Sequence, residues 1–219
     1  MQDGTILIDK PAGMTSFGVV ARVRRVLSQQ QGKKVKVGHT GTLDPFATGL
    51  MILVVGKECK NADSYSKLDK VYQATIRLGQ TSTTGDPEGE ITDISDAVPD
   101  INEIEAVLAK FRGVISQRPP IYSAIKIDGQ RAYKLARQGQ TVEMPEREVT
   151  IHELTVINYN YPEINIQAHV SSGTYIRTLA ADIGVALGTG AYCTQLRRIS
   201  IADLSVAQAD TLADMGVIG

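Results

Sequence analysis

A single carboxylate, Asp44, stands in the segment GHTGTLDPFATG at 38 to 49, among three glycines, a histidine and a proline. Glycine lacks a Cβ and lets backbone come close to a partner, while Pro45 biases Asp44 towards extended backbone and keeps the turn from continuing as a helix. A carboxylate on so rigid a support either caps its own turn or serves as a nucleophile or base. No second acid, His or Ser lies nearby at a hydrolase spacing. D-x-D, H-E-x-x-H and G-x-x-x-x-G-K-[ST] are all absent, so phosphoryl transfer and zinc hydrolysis have no support. A carboxylate working in a closed pocket must stay ionised, which a neighbouring guanidinium ensures. Arg177, in SGTYIR, is the candidate, and its alternative is the common fate of a surface arginine. Tyr72 is either a core tyrosine with its hydroxyl satisfied or a ring stacked on a base with a hydroxyl for proton transfer. His39 is open between turn and site residue, and His152 and His169 read as solvent-facing strand residues.

The elements that must carry these groups are legible from period and punctuation. TILIDK (5 to 10) is a short strand stopped by Pro11, and Thr15 or Ser16 caps a helix with Val19, Val20, Val23, Val26 and Leu27 on one face. LMILVV (50 to 55) is short enough for a buried strand. KVYQATIRLG (70 to 79) alternates and puts Tyr72 on the same side as Ala74, Ile76 and Leu78. GDPEGE (85 to 90) is turn chemistry. INEIEAVLAKF (101 to 111) is an amphipathic helix through Ile101, Ile104, Leu108 and Phe111. QRPPIYSAIKIDGQRAYKLARQG (117 to 139) combines a Pro-Pro stop, a short strand, an Asp-Gly turn and a basic helix, an excursion from the core. Two strands follow around Pro162, then a helix over 172 to 187 opened by a Ser-Gly-Thr cap, then the strand CTQLRRISIA. Strands follow strands without regular βαβ alternation, which predicts an α+β fold with a mixed, mainly antiparallel sheet flanked by helices. Without repeat or linker, residues 1 to 219 read as one catalytic domain.

Apolar residues make up 42% and charged residues 21% of the chain, ordinary globular usage, so disorder is not expected. No run approaches the roughly 20 apolar residues of a membrane helix, and the N-terminus lacks a secretory layout, so the expected compartment is the cytoplasm. Cys59 and Cys193 stand far apart, which argues against a disulfide framework or a cysteine-rich metal site. The net charge of −1 hides sorted blocks: residues 1 to 60 carry nine Lys or Arg against four acids, 110 to 147 carry eight against three, and 86 to 109 carry eight acids and no base. A basic face on a neutral molecule suits a phosphate backbone, though chance clustering gives the same count.

Six segments in order carry a resemblance: DKPAGMTS at 9 to 16, VGHTGTLDPFATGLM at 37 to 51, KVYQATIRLGQTSTTGDPEG at 70 to 89, residues 117 to 139, SSGTYIRTLAADIG at 171 to 184 and LRRISIA at 196 to 202. Together they resemble the tRNA pseudouridine-55 synthases of the bacterial TruB type over nearly the whole chain. The resemblance implies isomerisation of one T-loop uridine of tRNA to pseudouridine, with no cofactor or metal and no obligatory protein partner. Asp44 matches the catalytic aspartate, which either attacks the nucleotide or starts sugar deprotonation. Tyr72 matches the tyrosine packed on the target base, Arg177 the arginine paired with the aspartate, and Asp86 a second acid holding that arginine. Tyr175 and Leu196 match residues lining the uracil site, and His39 matches a histidine that fills the space the extruded nucleotide leaves. Lys10, Lys126 and Arg137 are the further substrate-binding candidates. Lys126 and Arg137, with Arg131 and Lys134, belong to a basic excursion around 117 to 147 expected to protrude and clamp the T-arm.

Members of this family commonly carry an additional RNA-binding domain after the catalytic one. Only 17 residues follow Ala202 here, so no separate C-terminal domain is expected, and GKECKNADSYSK (56 to 67) departs from the family's usual small-residue pattern. Two rival readings are a catalytically silent tRNA-binding or folding module, which would not need Asp44 with Arg177, and a guide-RNA-dependent relative working with protein partners.

Overall fold

The computed structural model describes residues 3–123, 126–127, 130–132, 135 and 144–217, with backbone only at 126, 127 and 131. The chain divides into two compact units, residues 1–72 with 197–219, and residues 73–196.

The first unit begins with β1 (Gly4–Lys10) and α1 (Ser16–Gln31). Thr15 caps α1 by accepting the Gly18 N–H, and Val19, Val20, Val23 and Leu27 are buried while Val26 is only half-buried. β2 (Val37–His39) and β3 (Thr48–Val55) follow. From Gly49 onward every residue of β3 is buried, as its continuous apolar run predicts. β1 pairs antiparallel with β3 from Gly4↔Val55 to Lys10↔Gly49. β2 also pairs antiparallel with β3, through Val37↔Val55 to His39↔Leu53. A 3-10 turn (Gly56–Asn61) and α2 (Ala62–Ser66) lead into β4 (Lys70–Leu78). Beneath this turn Leu50, Ile52 and Ile201 form a buried cluster covered by Leu7, Tyr65, Leu68 and Leu204.

The second unit continues through β4 into β5 (Gln80–Ser82), β6 (Ile91–Asp93), α3 (Ile101–Phe111) and β7 (Gly113–Gln117). β8 (Lys126–Ile127) and β9 (Gln130–Arg131) form a short hairpin, followed by β10 (Arg147–Asn160), β11 (Glu163–Val170), α4 (Ile176–Ala186) and β12 (Ala191–Ile201). Its strands run in the order β12-β4-β11-β10-β7. The end of β12 returns to the first unit, pairs parallel with β3 at Arg197↔Thr48 and Arg198↔Gly49, and turns into β13 (Leu204–Ser205). The fold class is α+β with a mixed sheet, as the strand-after-strand pattern predicts.

Two local expectations need correction. In α3 the buried face runs through Ile104, Val107 and Leu108, while Ile101 is 44% exposed because it is the first helical residue after the Asp100 capping box. The Ser-Gly-Thr stretch does not cap α4. It forms a turn closed by Thr174 donating to the Ser171 carbonyl, and the N-cap residue is Tyr175, whose own side chain makes no cap bond.

Candidate active site

The loop carrying Asp44 is held from several sides within the first unit. The Ser16 hydroxyl donates to the Leu43 carbonyl at 2.9 Å and accepts the Leu43 N–H at 2.8 Å. The Pro45 carbonyl accepts the Gly13 N–H at 2.8 Å. Leu43 and Ala47 point into the core at 4% and 0% exposure, so half-buried Asp44 is fixed between two anchors. Its turn is closed by the main chain, the Asp44 carbonyl accepting the Ala47 N–H at 3.1 Å, so turn closure does not need the carboxylate.

Lys10 is fully buried, and its ammonium donates to the carbonyls of Pro11, Met14 and Pro45 at 2.8, 2.6 and 3.2 Å. An ammonium directed at these carbonyls braces the loop. Arg198 is a second strut that the motif reading left without a role. It is 1% exposed, with Nε donating to the Leu50 carbonyl at 2.7 Å and a terminal nitrogen to the Gly41 carbonyl at 3.2 Å. Strand parity was the available signal, since Leu196 and Arg198 lie two apart on β12 and are both buried. Gly49 pairs with Arg198 at φ +103°, and a Cβ there would lie 2.7 Å from the Arg198 nitrogen, so this crossing requires glycine. The neighbouring Arg197 instead forks onto the Asp9 carboxylate at 3.0 and 2.7 Å. Tyr72 is 7% exposed on the buried side of β4, and His39 ends β2 half-buried.

In the second unit the structure brings Arg177 and Asp86 together. Arg177 lies in the first turn of α4 at 3% exposure, so the surface alternative is excluded. One of its terminal nitrogens donates to Asp86 Oδ2 at 3.0 Å and to the Thr84 carbonyl at 2.7 Å, and the other to the Tyr122 carbonyl at 2.9 Å. Asp86 is 4% exposed, and its Oδ1 accepts the Thr84 hydroxyl at 2.6 Å and the Glu88 N–H at 3.0 Å. The turn chemistry of 85 to 90 therefore serves to present an inward carboxylate. Tyr175 is half-buried at the entry to α4, and Leu196 is 8% exposed on β12. Gln117, 1% exposed at the end of β7, is a further residue the motif reading missed. Lys126 lies in the β8–β9 hairpin, where only backbone is described. Arg137 and Lys134 lie outside the described residues, as does much of the basic helix expected over this excursion.

The first unit carries exposed basic side chains, Arg22 and Arg25 on α1 and Lys33, Lys34, Lys36, Lys57 and Lys60 around one surface groove. Among the described residues no helix is long and apolar enough to cross a membrane.

A family model described as TruB family pseudouridylate synthase (N terminal domain) matches residues 24–176. The chain belongs to this family of pseudouridylate synthases. It is 45% identical to a "tRNA pseudouridine synthase B" of Thermobifida fusca (strain YX), over 98% of this chain and 75% of that protein. It is also 45% identical to the protein of the same name from Burkholderia mallei (strain NCTC 10247), over 96% of this chain and 68% of that protein. Among solved structures it is similar to a crystal structure of a Cbf5-Nop10-Gar1 complex, with a TM-score of 0.74, 28% identity, and coverage of 96% of this chain and 53% of that one. An H/ACA RNP bound to a substrate RNA containing 2′-deoxyuridine gives a TM-score of 0.71 at 26% identity, over 96% of this chain and 51% of that one. The chain spans about half the length of these two solved chains.

Proposed function

We infer that this protein isomerises uridine to pseudouridine in tRNA, at position 55 of the T loop, and acts as a single chain. The observation that carries the reading is 45% identity to proteins named tRNA pseudouridine synthase B across 98% of this chain, a span that includes nearly all the segments from which the candidate site is built. The reaction breaks the N-glycosidic bond, turns the uracil and rejoins C5 to the ribose, so it is internally balanced and consumes no second substrate.

Each residue has a part that its setting suits. Asp44 supplies the carboxylate that engages the nucleotide, on a loop anchored through Ser16 and the Gly13–Pro45 main-chain bond. A stacked uracil is out of reach, so the nucleotide must be extruded at a cost of roughly a few kcal/mol, offset by stacking and hydrogen bonds to the flipped base. Tyr72 offers a ring for that stacking and a hydroxyl for proton transfer at C5. Tyr175 and Leu196 line the uracil, and His39 fills the space left behind. Arg177, held by Asp86, is the guanidinium that the family resemblance assigns to the reaction. The basic excursion with Lys126 and Arg137, together with the exposed lysines of the first unit, favours the phosphate backbone of the T-arm.

The test is incubation of the purified chain with an unmodified T-arm hairpin, followed by mapping of isomerised uridine. Conversion at one T-loop uridine is expected. No conversion of either the hairpin or whole tRNA would overturn the proposal.

A further inference from the structure

Tyr175 is held by two side chains that come from neighbouring strands and from far away in sequence. The Gln117 carboxamide bridges its main chain, with Oε1 accepting the Tyr175 N–H at 2.8 Å and Nε2 donating to the Tyr175 carbonyl at 3.0 Å. Directly across the β7–β10 pairing from Gln117 is Arg147. Its guanidinium carbon lies 5.0 Å from the centre of the Tyr175 ring, and a terminal nitrogen donates to the Gly173 carbonyl. Gly173 makes this approach possible, since its own Cβ position is already 3.4 Å from the guanidinium and its φ is +86°. Arg147 also buries its Nε without an acceptor, an arrangement that hydrogen bonding alone would not select and that contact with the ring explains.

One cross-strand pair therefore addresses one residue twice, through its backbone and through its ring. A carboxamide offers a donor and an acceptor side by side, which is what the N–H and C=O of Tyr175 require. The same bridge serves the helix, because Tyr175 is the N-cap of α4 and lacks a cap of its own, and Arg177 stands two residues further on.

We propose that Gln117 and Arg147 are positioning residues: they set the plane of the Tyr175 ring against the target uracil and fix the first turn of α4 that carries Arg177. This role rests on the reading of Tyr175 as part of the uracil site. Arg147 covers the ring from one side, so on this reading the base stacks on the other.

The test uses the full chain with single-turnover rates, hairpin affinity and unfolding measured side by side. Q117E places an acceptor where a donor is needed. It is expected to lower the single-turnover rate by about tenfold or more while hairpin affinity stays within about threefold, since a small misplacement acts on the reaction before it acts on backbone binding. R147K keeps the charge but loses the planar contact, is half-exposed, and serves if Q117E does not fold. It should lose rate in the same sense with little change in unfolding. A merely structural role is separated by the double variant with Y175L: once the ring is gone, R147K should cost less than about twofold more. Full multiplicative losses in the double variant, or near-normal rates in both single variants, would overturn the positioning role while leaving a wild-type chain that converts uridine. No conversion by the wild type would instead overturn the function, and the positioning role with it.

Discussion

Replacing Asp86 by alanine removes a carboxylate partner from a buried guanidinium. The side chains of Arg177 and Asp86 are 4% and 6% exposed, and their contact is 3.0 Å, so water cannot take over the lost partner without rearrangement. Removing one member of a buried pair costs about 3 to 5 kcal/mol. The Thr84 hydroxyl and the Glu88 N–H also lose their acceptor, at roughly 1 kcal/mol each where they stay dry, and these costs overlap. The expected loss for D86A is therefore about 4 kcal/mol. D86N keeps an acceptor for both donors and should lose roughly half as much. Urea unfolding followed by circular dichroism reads the difference, and the isomerisation rate should fall with it because Arg177 is no longer held. A D86A chain destabilised by less than about 1 kcal/mol would refute the reasoning, since it would mean that Arg177 does not depend on this carboxylate.

Three further outcomes are expected. R177K replaces two terminal nitrogens, bonded in different directions, by one ammonium, so isomerisation should fall at least about tenfold; near-normal turnover in a rate assay would count against its role. Burial pushes Lys70 down to about 8, the nearby charge of Arg198 adding to the effect and Asp69 opposing it. Because an unfolded lysine titrates near 10.4, the folded state gives up its proton first, and this group's contribution to stability rises between about pH 8 and pH 10.4. The unfolding free energy of wild type minus that of K70Q should climb across that window, and a flat difference would contradict it. G49A should destabilise by about 3 kcal/mol or more in the same unfolding assay, because its Cβ meets the Arg198 backbone at a φ that side chains avoid; a loss under about 1 kcal/mol would show that the crossing can relax.

What the sequence made legible was the set of elements whose signals are local. The apolar run of β3, the alternation of β4 around Tyr72 and the Thr15 cap of α1 need only neighbours along the chain. Asp44 stood out because its turn carried more glycine and proline than a simple connection needs. Hidden from sequence was everything settled by partners far along the chain. Sequence leaves Arg177 open between site and surface, and what decides it is the closure of Asp86, Thr84 and Tyr122 around its guanidinium. The Ser-Gly-Thr stretch has the chemistry of a cap, but the entry to α4 is satisfied by Gln117 from another strand. The three carbonyls that Lys10 meets, one of them 35 residues away, are likewise not legible from its neighbours. A buried polar residue is thus readable as a type, while its role depends on long-range closure of hydrogen bonds.

The account stands on the carboxylate of Asp44 doing the chemistry. The most direct measurement compares wild type with D44N on the same T-arm hairpin, reading pseudouridine formation and hairpin affinity together. The expected result is no detectable pseudouridine from D44N with affinity within about threefold of wild type, because the amide keeps the shape of the side chain and loses its nucleophilic charge. Retained turnover by D44N would contradict the central claim.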